Sequence, residues 1–350
     1  MFNFLVILLN KINNLVVTNE KNYIMKTIKI KLIALLALIA FVSISCNNND
    51  NDDSSQQSKT IVSIAKANPN LSSLVAALEK ADLATTLNSS GTYTVFAPTN
   101  TAFSSFLSAK GYANLDAVPV AALKEILLNH VLNTKVKSSE IATGYVKTLA
   151  KGTASTSNTL SMYLEKGTGV DINGGKTNGG ATVTTADIEA SNGIIHVVDG
   201  VIGLPTIVNH AIANKNFTTL VAALTYNPSS GFAGILSGTA SSPFTVFAPT
   251  NAAFTSFLTE TGYSGLPAIP ANVLETTLKY HVVAGANVLS TSLTNGQVVS
   301  TFAGQNFTIG LTGGAKITDT NGRVSTIVAT DVQCSNGIIH VIDKVLLPKF

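Results

Sequence analysis

The feature that most restricts the fold of this chain is an internal repeat. Three blocks of residues occur twice, in the same order and without a change. The blocks are Thr94–Asn100 and Thr245–Asn251, Ser191–Val197 and Ser335–Val341, and Leu74–Leu78 and Leu220–Leu224. Units of 20–50 residues stack into solenoids, whereas units of roughly 150 residues can hold a core of their own. The sequence therefore predicts two homologous domains, residues 59–204 and 205–350, that meet at Leu204-Pro205.

The hydrophobic pattern changes within each copy. In the first copy Leu71, Leu74 and Leu78 have the spacing of one helix face, and Pro119 suits the first turn of a further helix. The second half of each copy is rich in Thr, Val and Gly. Asn173-Gly174 and Asn321-Gly322 are typical of hairpin turns between strands there. Helices followed by strands within one unit predict an α+β domain.

The first repeated block has a structural interpretation of its own. Pro98 ends the β-type run that precedes it, and Pro249 does the same in the second copy. Thr99 or Asn100 can then cap a following helix with a side-chain oxygen. If Asn100 is that cap, its replacement by Ala should cost about 1 kcal/mol.

Residues 1–45 have the organisation of a secretory signal. Basic residues follow Met25, and the apolar run Leu32–Ile44 is shorter than the roughly 20 residues that span a bilayer. A second short apolar segment precedes Met25, so we expect Met25 rather than Met1 to be the true start. A peptide containing residues 1–24, found in cells, would contradict this expectation.

Cys46 ends the apolar run and precedes an Asn- and Asp-rich stretch. This junction resembles the processing site of bacterial lipoproteins, in which the Cys is acylated and becomes the mature N-terminus. Ser43 departs from the usual Leu, as Bacteroidetes-type lipoproteins allow, and the acidic stretch resembles their surface-export signal. We therefore expect a lipid on Cys46, a disordered polar tether over residues 46–58, and outer-membrane attachment at the cell surface or on the periplasmic face. An ordinary cleaved signal, with Cys46 incidental, is the alternative.

The charge distribution excludes one class of partner. The chain has 22 basic and 19 acidic residues, but five Lys and a single Glu lie within residues 1–45. The remainder is slightly acidic, so no basic stripe is left to follow a phosphate backbone, and nucleic acid is not expected as a partner.

The repeated blocks resemble the signature boxes of the fasciclin domain. Thr94–Phe103 is similar to the first box, Asn192–Asp199 is similar to the second, and Tyr280-His281 resembles the Tyr-His motif between them. The boxes stand in family order in both copies, over residues 59–350. The resemblance implies a wedge-shaped, sandwich-like β-structure with helices packed around it. It also implies a secreted or lipid-anchored protein with an adhesion, matrix-binding or partner-binding role and no established catalysis.

The resemblance marks a set of residues as structural or binding positions. They are Thr94, Phe96, Pro98, Asn100, His130 and His196 in the first copy, and Thr245, Phe247, Pro249, Asn251, Tyr280, His281 and His340 in the second. One departure is Asn129, which stands before His130 where Tyr280 precedes His281. In animal matrix members of the family the Tyr-His region has been linked to integrin binding. A bacterial surface protein has no native integrin partner, so only the positional match is carried over.

The repeated histidines raise the question of metal or catalytic chemistry. Neither copy has a second His or a Cys at the spacing of zinc ligands. His196 and Asp199 are three residues apart on a predicted strand, so they point to opposite faces. We therefore expect His196 and His340 to make structural hydrogen bonds. The same is expected of His130 and His281, although a helix end could present these two rings.

Other chemical motifs are incomplete. The sequence has no G-x-S-x-G elbow and no phosphate-binding Gly-Lys-Ser/Thr loop. Asp171 and Asp319 begin turns that lack the closing Glu of a calcium loop. Cys334 aligns with Ala190, which indicates a small buried position rather than a reactive thiol. We thus expect no cofactor, no metal and no enzymatic activity.

The sequence favours a non-enzymatic surface protein that uses two adhesion-type modules to bind an extracellular protein or polysaccharide. A periplasmic or surface accessory protein that binds a polysaccharide or small ligand is the alternative, and a hydrolase that uses the repeated histidines is a third possibility. The chain has no Trp and only 7% aromatic residues, so the sequence does not locate a binding face.

Overall fold

Each repeat begins with helices and ends with strands, and its strands form one seven-stranded sheet. The computed structural model describes residues 59–350, which belong to one compact unit. The signal, the Cys46 lipid and the tether predicted for residues 1–58 lie outside the described residues. Within residues 59–350, every helix is too short or too polar to cross a bilayer. The α+β fold class predicted from the sequence is confirmed.

In the first repeat the helices precede most of the strands. The helices are α1 (Ile61–Ala67), α2 (Ser72–Lys80), α3 (Ala84–Asn88), α4 (Asn100–Ala109) and α5 (Val120–Leu128). The strands are β1 (Tyr93–Pro98), β2 (Val131–Leu132), β3 (Gly144–Lys147), β4 (Ser161–Lys166), β5 (Val170–Ile172), β6 (Ala181–Ala190) and β7 (Gly193–Val198). Leu74 and Leu78 are buried on one face of α2, as their spacing predicts.

The second repeat has the same element order. Its helices are α6 (Ile207–Ala213), α7 (Thr218–Tyr226), α8 (Phe232–Ser237), α9 (Asn251–Thr261) and α10 (Ala271–Tyr280). Its strands are β8 (Phe244–Pro249), β9 (Val282–Ala284), β10 (Val298–Ser300), β11 (Asn306–Gly310), β12 (Lys316–Thr318), β13 (Val324–Cys334) and β14 (Gly337–Ile342).

The two signature boxes lie side by side in each sheet. β1 and β7 pair in parallel, from Tyr93 opposite Gly193 to Pro98 opposite Val198. β8 and β14 pair in the same way. The strand order is β2-β1-β7-β6-β5-β4-β3 in the first sheet and β9-β8-β14-β13-β12-β11-β10 in the second. Blocks that are far apart in sequence are therefore direct neighbours at the centre of each domain.

The central strands face two cores. Val95 and Ala97 pack with the helices, whereas Phe96 packs with Met162 and other residues of the long sheet. Successive strand residues point to opposite faces, so a strand covered on both faces must be apolar throughout. All six residues of β7 are accordingly buried.

The second repeat covers part of the first sheet. Lys147 Nζ, on β3, donates to the Asp331 carbonyl of β13 at 2.8 Å. The Tyr145 ring lies edge-on to the ring of His210, with 5.3 Å between the centroids. The two repeats therefore contact each other through the outer face of β3 and β4.

One predicted turn is longer than a simple hairpin. Asn173-Gly174 opens a connection over residues 173–180 that contains a 3-10 turn at Lys176–Asn178. Asn178 Nδ2 donates to both Asn173 O and Asn209 O. The extra residues thus reach the second repeat, a contact that no local turn signal reveals. Asn321-Gly322 lies in the turn between β12 and β13, as predicted.

Candidate functional site

The first signature box ends where a helix begins. Thr99 is the cap of α4, since its Oγ1 accepts the Ala102 N–H at 3.2 Å. Asn100 is the first helical residue; its side chain accepts the Ser73 N–H at 2.9 Å and donates to Pro69 O. The matching bonds of the second domain run from Ala253 N to Thr250, from Thr219 N to Asn251, and from Asn251 to Lys215 O. Of the two candidate caps, Thr is the cap and Asn joins two helix N-termini.

The Thr of the first box hydrogen-bonds a neighbouring loop, and its Phe packs against the ring of a histidine. Thr94 Oγ1 donates to Thr134 O and accepts the Val136 N–H. The Phe96 ring stacks on the ring of His196, with 5.6 Å between the centroids. In the second domain Thr245 bonds Ala286 and Val288, and Phe247 stacks on His340. These positions are buried, so they support the box rather than present it to a partner.

His196 is a fully buried strand residue with both ring nitrogens engaged. Nε2 lies 3.0 Å from Val136 O, and a carbonyl only accepts, so Nε2 carries the proton. Nδ1 then accepts the Asp187 N–H at 3.2 Å. His340 bonds Val288 O and Asp331 N in the same way. Burial lowers the pKa of both imidazoles, so each ring is a neutral link between a loop and a bulged strand.

His130 and His281 are buried where a helix ends. His130 Nδ1 lies 2.7 Å from Ile126 O, and Nε2 accepts the Ile202 N–H at 2.9 Å. His281 repeats this with Thr277 O and Leu346 N. Burial lowers the pKa of both rings to about 4. The helix ends do not present these rings to solvent; each joins a helix to the last segment of its domain.

The residues before these histidines differ, yet both are fully buried. Asn129 Nδ2 donates to Gly203 O at 2.9 Å, within the first domain. The Tyr280 hydroxyl donates to Asn306 O at 2.7 Å and accepts the Thr320 N–H. The two side chains occupy equivalent positions but bond different backbone groups. Each domain therefore satisfies the polar atoms of its own residue, Asn129 or Tyr280, within its core.

Sequence reasoning did not single out Asn192, the first residue of the second box. Its Oδ1 accepts the Ile61 N–H at 2.9 Å, and its Nδ2 donates to Leu87 O and Ser89 O. Asn336 makes the same three bonds in the second domain, to Ile207, Leu236 and Gly238. The signal was available, because this Asn belongs to a block that repeats without change.

A strained aspartate was missed as well. Asp187 and Asp331 both have a φ of 62°, a left-handed conformation that is uncommon for residues other than glycine. Each carboxylate accepts from the backbone N–H and the hydroxyl of a Ser, which are Ser138 and Ser290. Each Asp lies where the strand pairing shifts register, opposite the His of the second box.

Cys334 is fully buried. Burial raises the pKa of its thiol, which disfavours the nucleophilic thiolate. The matching residue, Ala190, is partly buried. Together with the neutral histidines, the Cys provides packing and hydrogen bonds rather than a proton-transfer pair.

Comparison with known proteins gives the family. The fasciclin domain profile matches residues 69–205 and 215–348. A Synechocystis protein, sll1483, is 39% identical over 143 residues, which are 41% of this chain and 72% of that protein. The chain belongs to the fasciclin domain family.

Two further matches extend over both repeats. The pig transforming growth factor-beta-induced protein ig-h3 is 29% identical over 262 residues, which cover 74% of this chain and 35% of that protein. A solved FAS1 domain pair from the insect cell adhesion molecule fasciclin I has a TM-score of 0.44 and 20% identity, over 78% of this chain and 92% of that one.

Proposed function

We propose that this chain is an exported, non-enzymatic surface lipoprotein whose two fasciclin domains bind an extracellular protein or matrix polymer, as in adhesion. The observation that carries the proposal is that the side chains of the signature boxes serve to hold each domain together. The polar side chains of the boxes are hydrogen-bonded, and the histidines are fully or almost fully buried. The side chains of the repeated boxes thus hold each domain together and leave binding to its surface.

The membrane attachment in this proposal rests on the junction at Cys46. A single Cys between a short apolar run and an acidic stretch suits acylation, and two or more acyl chains hold a protein at a bilayer without a spanning helix. The tether before residue 59 would then place both domains outside the membrane. This part of the proposal is independent of the partner.

The alternative, binding of a polysaccharide or small ligand, is favoured by one surface feature. A groove of about 320 Å³ lies between α2 and α4 of the first domain, within the volume range of small-ligand sites. Hydroxyl groups of Ser72, Ser73 and Ser104 and the apolar side chains of Leu107 and Leu115 line it. The serine hydroxyls could hydrogen-bond the hydroxyl groups of one sugar unit, and the leucine side chains could pack against its apolar face.

The test is a deletion strain complemented with the wild-type chain or with Cys46→Ser. We expect attachment and cell aggregation to fall in the deletion strain, to return with the wild type, and not to return with Cys46→Ser, which is exported but not retained. Incorporation of a fatty-acid label should be lost in the same variant. Normal attachment of the deletion strain, together with specific glycan binding by the purified protein, would contradict adhesion and support the alternative. A substitution in the groove, Ser104→Tyr, should then abolish glycan binding.

A further inference from the structure

The contact between the two repeats has two complementary sides, each with an equivalent in the other repeat. One side is the outer face of the β3–β4 hairpin, formed by Tyr145, Lys147, Ser161 and Tyr163; we call it the hairpin face. The other side, the edge face, is α6 together with the bulged edge of β13, and it contains His210, Asn214, Asp331, Gln333 and Ser335.

Side chains and backbone of the hairpin face cover a strand edge that would otherwise be unpaired. Lys147 Nζ donates to Asp331 O, and Ser161 Oγ accepts the Gln333 N–H at 3.0 Å. Just beyond, Thr153 N, Ala154 N and Thr153 Oγ1 all donate to Ser335 O. The outward N–H and C=O groups of β13 are therefore capped by the first domain.

The hairpin face has a direct counterpart on the β10–β11 hairpin. Thr148 N and Thr301 N make corresponding bonds, to Leu160 O and Gln305 O, just after β3 and β10. From these anchors, strand register matches each outward residue of the first hairpin to one of the second. The pairs are Tyr145 and Val298, Lys147 and Ser300, Ser161 and Asn306, and Tyr163 and Thr308.

The edge face has its counterpart on α1 and β6. The backbone N–H of Ser335 bonds Pro205 O, and that of Ser191 bonds Lys59 O, so both edges receive the incoming chain in the same way. The pairs are His210 and Ile64, Asn214 and Asn68, Asp331 and Asp187, Gln333 and Glu189, and Ser335 and Ser191.

Both counterparts are uncovered in the part of the chain that the structure describes: most of their residues are exposed, and Ile64, Asn68 and Thr308 are half-buried. Val298 is 62% exposed, whereas Tyr163 and Ser161 of the first hairpin are buried. The Glu189 side chain is 58% exposed, whereas Gln333 is fully buried. Within residues 59–350 no side chain bonds Asp187 O, Glu189 N or Ser191 O. An uncovered strand edge is a template for pairing with another chain.

We propose that the hairpin face of the second domain docks onto the edge face of the first domain of another copy of this chain, head to tail. The occupant is a second copy because the chain already contains both sides of this contact, and uses one pair internally. The two faces differ, so the contact is heterologous: it links copies head to tail into rows or closed rings and does not form a two-fold dimer.

The substituted residues keep the two faces compatible. Val298 and Ile64 stand at the positions equivalent to Tyr145 and His210. The proposed contact therefore places one apolar side chain against another. Lys215 and Glu165 form an ion pair across the internal contact. Pro69 and Gly310 stand at the equivalent positions of the proposed contact, so neither face has an unpaired charge at this point.

Part of the hydrogen bonding can be kept as well. Asn306 Oδ1 can accept the Glu189 N–H, as Ser161 Oγ accepts the Gln333 N–H. The Ser300 side chain is shorter than Lys147, so the Lys147 bond has no direct equivalent in the proposed contact. Phe350, 72% exposed, adds apolar surface beside the hairpin, where Gln305 bonds the Lys349 backbone.

This inference goes beyond the proposed function, since it concerns contacts between copies and holds whether or not an outside partner is bound.

The test uses the full chain, exported and extracted from membranes in detergent, and measures molar mass by sedimentation. Val298→Lys damages only the hairpin face, and Glu189→Arg damages only the edge face. We expect the wild type to form oligomers with increasing concentration, and each variant alone to associate at least tenfold more weakly.

The decisive arm is a mixture. Each variant keeps one intact face, so Val298→Lys mixed with Glu189→Arg should form dimers and nothing larger. Val120→Lys, at a 51%-exposed position on α5, is the matched surface control and should behave as the wild type. A monomeric wild type, or a mixture that forms no dimers, would overturn the proposal. Loss of cell attachment in Val298→Lys while the wild type is monomeric would overturn it too and assign this face to a different partner.

Discussion

At the residue scale, the side chains of the signature boxes connect backbone segments that have no strand or helix partner. His130 and His196 each occupy one backbone acceptor and one backbone donor. Asn192 satisfies three backbone groups at once. Buried backbone groups without a partner are costly, so residues that can donate and accept at fixed positions are required there.

Asn192→Ala is the sharpest test of this role. The change leaves one backbone N–H and two carbonyls unpaired, and at about 1 kcal/mol per bond we expect the free energy of unfolding to fall by about 3 kcal/mol. Urea unfolding followed by circular dichroism measures the change. Asn133→Ala, at an exposed position, is the control and should be nearly neutral. Equal effects of the two substitutions would show that the Asn192 bonds contribute nothing to stability.

At the element scale, the parallel pairing of β1 with β7 organises each domain. The two strands are in register over their whole length, and their alternate residues supply both cores. The pairing begins at Gly193, which lies directly against Tyr93. A Cβ built on Gly193 would stand 2.1 Å from Tyr93 O and 2.8 Å from Ile61 Cδ1. Backbone cannot give way as a flexible side chain can, so only glycine fits.

Gly193→Ala should therefore separate the start of β1 from β7. We expect a loss of about 3 kcal/mol or more in the free energy of unfolding, the upper range for an added methyl group in a packed core. Gly167→Ala has open space around its Cβ and no positive φ, so it should change stability little. Thermal melting of both variants beside the wild type measures the difference. A Gly193→Ala protein as stable as Gly167→Ala would contradict the close approach.

At the scale of the whole molecule, the contact between the domains contains a buried basic side chain. His210 is fully buried, and neither ring nitrogen has a hydrogen-bond partner among the described residues. The Tyr145 ring packs against it, and Lys147 is the nearby cation from the facing domain. Burial, together with a smaller contribution from the charge of Lys147, lowers the pKa of His210 to about 3. The domain contact thus holds a neutral imidazole.

Acid should weaken this contact. Above pH 6.5 the imidazole is neutral in both the folded and the unfolded chain, so it adds no pH dependence. Below pH 6.5 the unfolded chain binds a proton that the folded chain excludes, and stability is lost progressively as the pH falls toward 3. At pH 4.5 the loss from His210 is about 3 kcal/mol.

His210→Gln isolates that contribution, because an amide does not titrate in this range. We expect the variant to lose less stability than the wild type between pH 7 and pH 4.5, measured by urea unfolding at both values. His130 and His281 keep their own acid sensitivity in both proteins, since their pKa values are lowered to about 4. An identical pH dependence in the variant and the wild type would contradict the assignment to His210.

The sequence by itself determined the presence of two homologous α+β domains and the position of their boxes. Repetition without change is visible without coordinates, and helix and strand periods are local properties. It also predicted hydrogen-bonded strand histidines, because the spacing of His196 and Asp199 excludes a dyad on one face. The predictions for Cys46, the tether and the domain bounds stay predictions of the sequence.

Only the tertiary structure decided which residues meet. It made Thr99 the cap and freed Asn100 to join two helices, since local signals do not distinguish a cap from a side chain that bonds a distant helix. It placed the two boxes side by side, and it buried one hairpin face while leaving its counterpart at Val298 exposed. Two copies of nearly the same motif differ here because one is covered by a neighbouring domain, and that neighbour lies far away in the sequence.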